Sequence, residues 1–205
     1  MDGKILKHIP QTVYFASHNQ HKAEELSNII STYGSLSLAS ASGVAPGLQW
    51  VENASTFRGN ALIKAQALRQ HTKAPILADD SGLVVDALDG GPGIHSKRFA
   101  GPDATDLDNL NLLLERLDNL PENKRQARFI CCLIYLDEQG QAHEFQGTLE
   151  GHIATQTVGT EGFGYDPIFV PAGATQTLAQ YSHLEKNAMS HRAKAAQKWG
   201  QWLFS

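Results

Sequence analysis

The sequence predicts an α/β fold built on a mixed β-sheet, and three features of the chain carry that prediction. Short apolar runs of β-type residues alternate with stretches of helical period through the first half. Two longer β-type runs, Ala127 to Leu136 and Ala142 to Ile153, stand back to back around Asp137-Glu138-Gln139-Gly140, the pattern of an antiparallel pair. With 205 residues, 41% of them hydrophobic and 19% charged, the chain can bury a core as one large domain or two closely joined lobes.

Thr12 to Ala16 is a short β-type run followed by the polar turn Ser17-His18-Asn19-Gln20-His21-Lys22. A helix is expected next, because Ala23, Leu26, Ile29, Ile30 and Tyr33 recur near the 3.6-residue period and Gly34 closes the pattern. Residues 35–41 alternate like a second strand, a Gly/Pro-bearing loop spans Gly43 to Gly47, and a long helix is expected from about Ser55 to His71. Ala74 to Ala78 reads as a third strand ending in Asp79-Asp80-Ser81-Gly82, with strand-like residues again from Leu83 to Leu88 before a glycine-rich loop, Gly90 to Gly101. Thr105 opens a further helix through a Thr-x-x-Asp capping box to Asp108, with Leu107, Leu110, Leu113, Leu114 and Leu117 as its apolar stripe. After the strand pair comes the loop Gly159 to Pro167, and a C-terminal helix starting near Ser190 carries Ala193, Ala196, Trp199, Trp202 and Leu203. The chain shows no internal repeat, low-complexity tract or linker.

Composition excludes several functions. A net charge of −4 argues against a protein that coats nucleic acid by neutralising phosphates, so an anionic ligand must be held by a local cluster of cations. Cys131 and Cys132 are adjacent in an apolar run and point to opposite faces of a strand, so they cannot chelate one metal together, and two cysteines make no disulfide framework. No stretch approaches the roughly 18 apolar residues of a membrane span. The expectation is a soluble, cytoplasmic protein without a membrane or nucleic-acid partner. Phosphate-binding P-loops, dinucleotide fingerprints, His-Glu-x-x-His metal helices and Gly-x-Ser-x-Gly elbows are all missing.

What remains is a set of local constellations, each with two readings. Asp79-Asp80 at the end of an apolar strand places one carboxylate toward a ligand crevice and the other against the turn, or else forms a solvated Asx turn. Glu52 is a second oxygen donor for a Mg2+ ion or a charge at a helix start. Lys64 falls within the apolar arc of Phe57, Ala61 and Leu68, either snorkelling to water or aimed as a point charge at phosphate oxygens. Ser17, Asn19 and Lys22 fill a strand-to-helix turn whose backbone N–H groups favour an anion. Ser190-His191-Arg192 puts cations at a helix N-terminus, against the macrodipole; an anionic or carbonyl-rich ligand offsets that, or both side chains are solvated with Ser190 as the cap. Phe163-Gly164-Tyr165-Asp166-Pro167 either offers a ring for base stacking on a flexible loop or anchors that loop to the core.

In order along the chain, Ser17-x-Asn19-x-x-Lys22, Glu52-x-x-x-x-Phe57-x-x-Asn60-Ala61-x-x-Lys64-Ala65, Ala78-Asp79-Asp80-Ser81-Gly82-Leu83, Gly93-Ile94-x-Ser96-x-Arg98, Gly162-Phe163-Gly164-Tyr165-Asp166-Pro167-Ile168-Phe169, Glu185-Lys186 and Ser190-His191-Arg192 resemble the inosine triphosphate pyrophosphatase family. The resemblance implies an elongated central mixed β-sheet flanked by helices, two lobes with a cleft between them, and a homodimer. It implies one such domain over residues 12–205, with residues 1–11 as an N-terminal extension. It also implies Mg2+-dependent hydrolysis of a purine nucleoside triphosphate, ITP, dITP or XTP, to the monophosphate and pyrophosphate. By position, Asp80 looks like the proton acceptor and a metal-linked carboxylate, and Glu52 like the other metal contact. Ser17, Asn19, Lys22 and Lys64 would hold the triphosphate, and Ser81, Phe163, Gly164, Tyr165, Asp166, Lys186, His191 and Arg192 would surround the base and sugar. Residues 51–54 read Val-Glu-Asn-Ala where such proteins often carry paired acids and a glycine, His95 replaces a common tyrosine, and Leu184 stands where an acid often precedes Glu-Lys.

Overall fold

The structure, a computed structural model, describes residues 9–205. Residues 1–8 of the expected N-terminal extension lie outside the described residues. Six strands and five α-helices follow in chain order: β1 (Thr12–Phe15), α1 (Gln20–Ile30), β2 (Ser37–Ser40), α2 (Phe57–Arg69), β3 (Ile76–Val85), α3 (Asp106–Leu117), β4 (Gln126–Leu136), β5 (Ala142–Ile153), β6 (Phe169–Pro171), α4 (His183–Met189) and α5 (His191–Leu203), among the described residues. The strands form one sheet in the order β2-β1-β3-β4-β5-β6. β1 pairs parallel with β2 and β3, whereas β5 pairs antiparallel with β6, so the sheet is mixed as the sequence predicts.

The helix starts are set by their capping residues. Asn19 accepts from the Lys22 N–H at 3.1 Å and Thr56 from the Gly59 N–H at 3.0 Å, satisfying first-turn donors that have no partner inside the helix. Thr105 and Asp108 form the expected capping box of α3. A second box, Ser182 with Glu185, starts α4, a helix the apolar periodicity does not announce because its seven residues are too few to draw a stripe.

Two expectations are corrected. The stretch Asp79-Asp80-Ser81-Gly82 is not the end of a strand: β3 runs through it for ten residues. Leu107 is 62% exposed, so the apolar stripe of α3 is Leu110, Leu113 and Leu117, with Leu114 packed beside them. For residues 163–167 the structure narrows two readings rather than correcting one: Tyr165 is the anchor, buried with its hydroxyl donating to the Ser96 carbonyl at 2.8 Å, and the segment closes in a short 3-10 turn over Asp166–Ile168.

By compactness the chain falls into two units. One comprises the chain up to Asp80, Cys132–Gln146 and Arg192–Ser205; the other comprises Ser81–Cys131 and Gly147–His191. β3, β4 and β5 each supply residues to both. In the first unit Ala61, Ala65 and Leu68 of α2 pack with Ile76, Ala78, Cys132 and Ile134. The small alanines fit helix closely to sheet. Trp199 and Trp202 of α5 also pack inside this unit, Trp199 at 5.8 Å from Tyr135 and Trp202 at 4.4 Å from His143 and 5.5 Å from Phe145. A buried ion pair joins Arg192 of α5 to Glu25 of α1. In the second unit Leu83, Val85, Leu113, Leu117, Phe129, Ile153, Ile168 and Phe169 form a separate core. Among the described residues no helix is long and apolar enough to cross a membrane.

Two expectations for stability follow from the first unit. Arg192→Met leaves Glu25 buried without its guanidinium, a loss of about 3–5 kcal/mol, while Glu25→Leu combined with Arg192→Met recovers most of it. Denaturant unfolding of the single and double variants checks this; equal losses in both would show that the pair is not the source. The second concerns Tyr135, whose phenol is pushed up to about 12 by burial, with Asp137 and Glu138 adding to the effect and Arg69 opposing it. The folded state therefore holds the phenolic proton more tightly than the unfolded one, so this stabilisation is complete below about pH 10 and is lost as pH rises toward 12. Unfolding free energies measured across that window should fall, and should fall less in Tyr135→Phe.

Candidate functional site

In the first unit the charged side chains concentrate where β3 lies beside α2. Extended backbone turns Asp79 and Asp80 to opposite faces. Asp79 takes the Lys22 ammonium at 2.6 Å, and Asp80 takes the Asn60 amide at 3.0 Å. Lys64, on the buried face of α2, bonds Glu52 at 2.9 Å and stands 3.9 Å from the Asp80 carboxylate. Lys64 is only 4% exposed and Asp80 only 6%, so neither snorkelling of the lysine nor a solvated turn describes the structure.

Burial governs the electrostatics. It is the main cause pushing the Asp80 carboxyl up to about 6, with Glu52 acting in the same sense and Lys64 and the Asn60 hydrogen bond acting against it. Burial works on Asp79 in the same direction, yet Lys22, Lys64 and Arg192 overcome it and hold that carboxyl well below the usual carboxylate range. For Lys64, desolvation disfavours the charge, but Asp79, Glu52 and Asp80 outweigh it and keep the ammonium above the ordinary lysine value. The two neighbouring aspartates thus differ in kind: Asp79 is a permanent anion within an ion pair, and Asp80 is a carboxylate near the neutral range.

The strand-to-helix turn is shaped by its own side chains. Ser17 Oγ accepts from the Asn19 N–H at 3.1 Å and Asn19 Oδ1 from the Lys22 N–H at 3.1 Å, so part of the donor set expected to meet an anion already has a partner. Arg192 and His191 are both buried, which corrects the reading of two solvated cations at a helix start. Arg192 pairs with Glu25, in the same unit.

In the second unit Asp166 is a hub. It is buried and accepts from the Phe163 N–H at 2.9 Å and from the Lys186 ammonium at 2.8 Å. That ammonium also lies 4.4 Å from the centre of the Phe163 ring. Gly162, with φ of +79°, is required here, because a Cβ would collide with the Asp166 carboxylate. The Gly164 N–H donates to Asp106 at 2.9 Å. His191 stacks on Phe129, ring centres 4.8 Å apart and nearly coplanar. Ser81 is half-buried in β3.

The structure therefore gathers Glu52, Lys64 and Asp80 with Lys22 in one unit, and Phe163, Asp166 and Lys186 in the other. Sequence reasoning gave no role to Asn60, which is fully buried and bonds both Asp80 and the Ala54 N–H. The signal was present: an amide four residues before Lys64 falls on the same helical face. Glu25 was also missed. It lies beside Leu26 in a stretch read only for its apolar period, and its buried position answers the arginine from α5.

No group of three or more His, Cys, Asp or Glu side chains among the described residues could hold a metal unaided. The donor set still fits a hard cation such as Mg2+, which needs one or two carboxylates and takes its other oxygens from phosphates and water. Glu52 and Asp80 supply those carboxylates, and both already face one positive charge, the Lys64 ammonium.

Comparison with known proteins places this geometry in a family. The Ham1 family model matches residues 13–202. A dITP/XTP pyrophosphatase of Opitutus terrae is 40% identical over 93% of this chain and 97% of its own, and one of Yersinia pseudotuberculosis is 43% identical over 90% and 94%. Among solved structures, a Ham1 protein from Coxiella burnetii superposes with a TM-score of 0.86 at 34% identity, covering 95% of this chain and 98% of the other. The Staphylococcus aureus Ham1 protein gives 0.84 at 35% identity, covering 94% and 97%. With sequence, fold and the order of the motifs in agreement, the chain belongs to the Ham1 family.

Proposed function

We propose that this chain is a nucleoside triphosphate pyrophosphohydrolase that converts deaminated purine nucleotides, dITP, ITP and XTP, to their monophosphates and pyrophosphate, and so keeps those bases out of nucleic acid. The observation that carries the reading is the cluster of buried Lys64 and Asp80 with half-buried Glu52, an ammonium flanked by two carboxylates in a chain of the Ham1 family. Relatives over nine tenths of the chain that bear the name dITP/XTP pyrophosphatase support it.

Lys64 and Lys22 hold phosphate oxygens as point charges, aided by the turn of Ser17 and Asn19 at the start of α1. Asp80, oriented by Asn60, takes a proton from the water that attacks the α-phosphorus. An oxygen–phosphorus bond forms there as the bond to the bridging oxygen breaks, and pyrophosphate leaves. Mg2+, held by Glu52 and Asp80, supplies charge neutralisation on the phosphates when bound. Phe163 and Tyr165, with Gly164, Ser81, Asp166, Lys186 and His191, are the second unit's groups for the base and sugar. Tyr165 serves there as a buried anchor for the loop. A 6-oxo purine presents an acceptor to these donors where adenine presents an amino group, which leaves buried donors unpaired and rejects ATP. The functional form is a homodimer.

Incubation with dITP, XTP, ITP and ATP in Mg2+ should give monophosphate and pyrophosphate from the first three and not from ATP, and nothing once the metal is chelated. Orthophosphate alone, or no turnover, rejects the proposal. Asp80→Asn should lower kcat by about 10²–10⁴-fold while nucleotide binding survives, because the carboxylate acts on water rather than as a main phosphate holder. A variant with near-normal rate removes Asp80 from the role.

A further inference from the structure

Glu52 lies in a stretch without regular structure between the 3-10 turn at Ala41–Gly43 and the start of α2 at Phe57. Its neighbour Val51 is 73% exposed. Two residues before Glu52, Trp50 is half-buried and lies flat on His18, ring centres 4.2 Å apart and planes within 9°. His18 itself sits in the strand-to-helix turn, between Ser17 and Asn19. One ring contact therefore joins the segment carrying the Glu52 carboxylate to the turn that opens α1.

We propose that the His18–Trp50 stack is a positioning latch for Glu52, an inference that rests on the catalytic reading of the Glu52, Lys64 and Asp80 cluster. When the Lys64 ammonium also donates to phosphate oxygens, its three N–H donors and its charge are shared between them and Glu52, which weakens its hold on that carboxylate. The stack does not involve either charge. It keeps the Glu52 segment against the turn while Lys64 takes up phosphate oxygens. An aromatic pair suits this task because it depends on area and ring orientation rather than on the charges rearranging beside it. The turn, by contrast, does not need the stack, because Ser17 and Asn19 already fix it through their hydrogen bonds to the Asn19 and Lys22 N–H groups.

This division predicts a split in the kinetics. Trp50→Ala and His18→Ala should each lower kcat for dITP about tenfold, the loss of a misplaced group, while KM changes by less than about twofold because the turn stays formed. Trp50→Phe, which keeps a stacking ring, should recover most of the rate. Two measurements without substrate accompany the kinetics. The His18 ring protons should shift downfield in NMR when Trp50 is removed, and amide exchange over residues 49–53 should quicken in both alanine variants but not in Trp50→Phe. Unchanged exchange, or equal kcat in all variants despite quicker exchange, overturns the latch. If the wild-type protein hydrolyses no nucleotide, the catalytic reading fails and the latch falls with it as a positioning device, whereas an active wild type with indifferent variants rejects the latch alone. His18→Ala, at an exposed position, keeps the test usable if the tryptophan variant does not fold.

Discussion

One buried balance of charge organises the first unit. Glu25, Glu52, Asp79 and Asp80 face Lys22, Lys64 and Arg192, four carboxylates against three cations, at the positions where β3, α1, α2 and α5 bring them together. Buried charges are tolerated only when paired and hydrogen-bonded. Each of these side chains is paired with one from another segment of the chain, so the cluster ties those segments together.

Physical periodicity made part of this legible. Lys64 stood out because a lysine interrupts the apolar arc of an amphipathic helix, and the two aspartates were known to face opposite ways because strand side chains alternate. The extent of β3 was not legible. Asp-Asp-Ser-Gly has the composition of a turn, and only pairing to neighbouring strands keeps its backbone extended. The same tertiary override explains Arg192: the cost of a cation at a helix start is met by a glutamate some 167 residues earlier in sequence, a partner that no local pattern announces.

The second unit makes its contribution by geometry more than by charge. Asp166 gathers a backbone N–H and an ammonium onto one carboxylate, and Gly162 makes room for it. The loop is therefore held in place by partnered polar groups, with Gly162 supplying the only side chain small enough for its position. The sequence showed the residues of this loop but not its rigidity, because the hydrogen bonds that create it run to Asp106, Ser96 and Lys186, each far away along the chain.

The departure at residues 51–54 from the pattern of paired acids and glycine is reconciled by the same structure. Val51 stands largely in solvent, while Glu52 keeps a carboxylate on the Lys64 ammonium. Ala54, in place of glycine, keeps its N–H on Asn60, and Asn60 in turn orients Asp80. The loop is anchored on both sides of the carboxylate, by the Trp50 ring before it and the Ala54 amide after it. Glu52 thus lies between two anchored neighbours while its own side chain bonds the Lys64 ammonium.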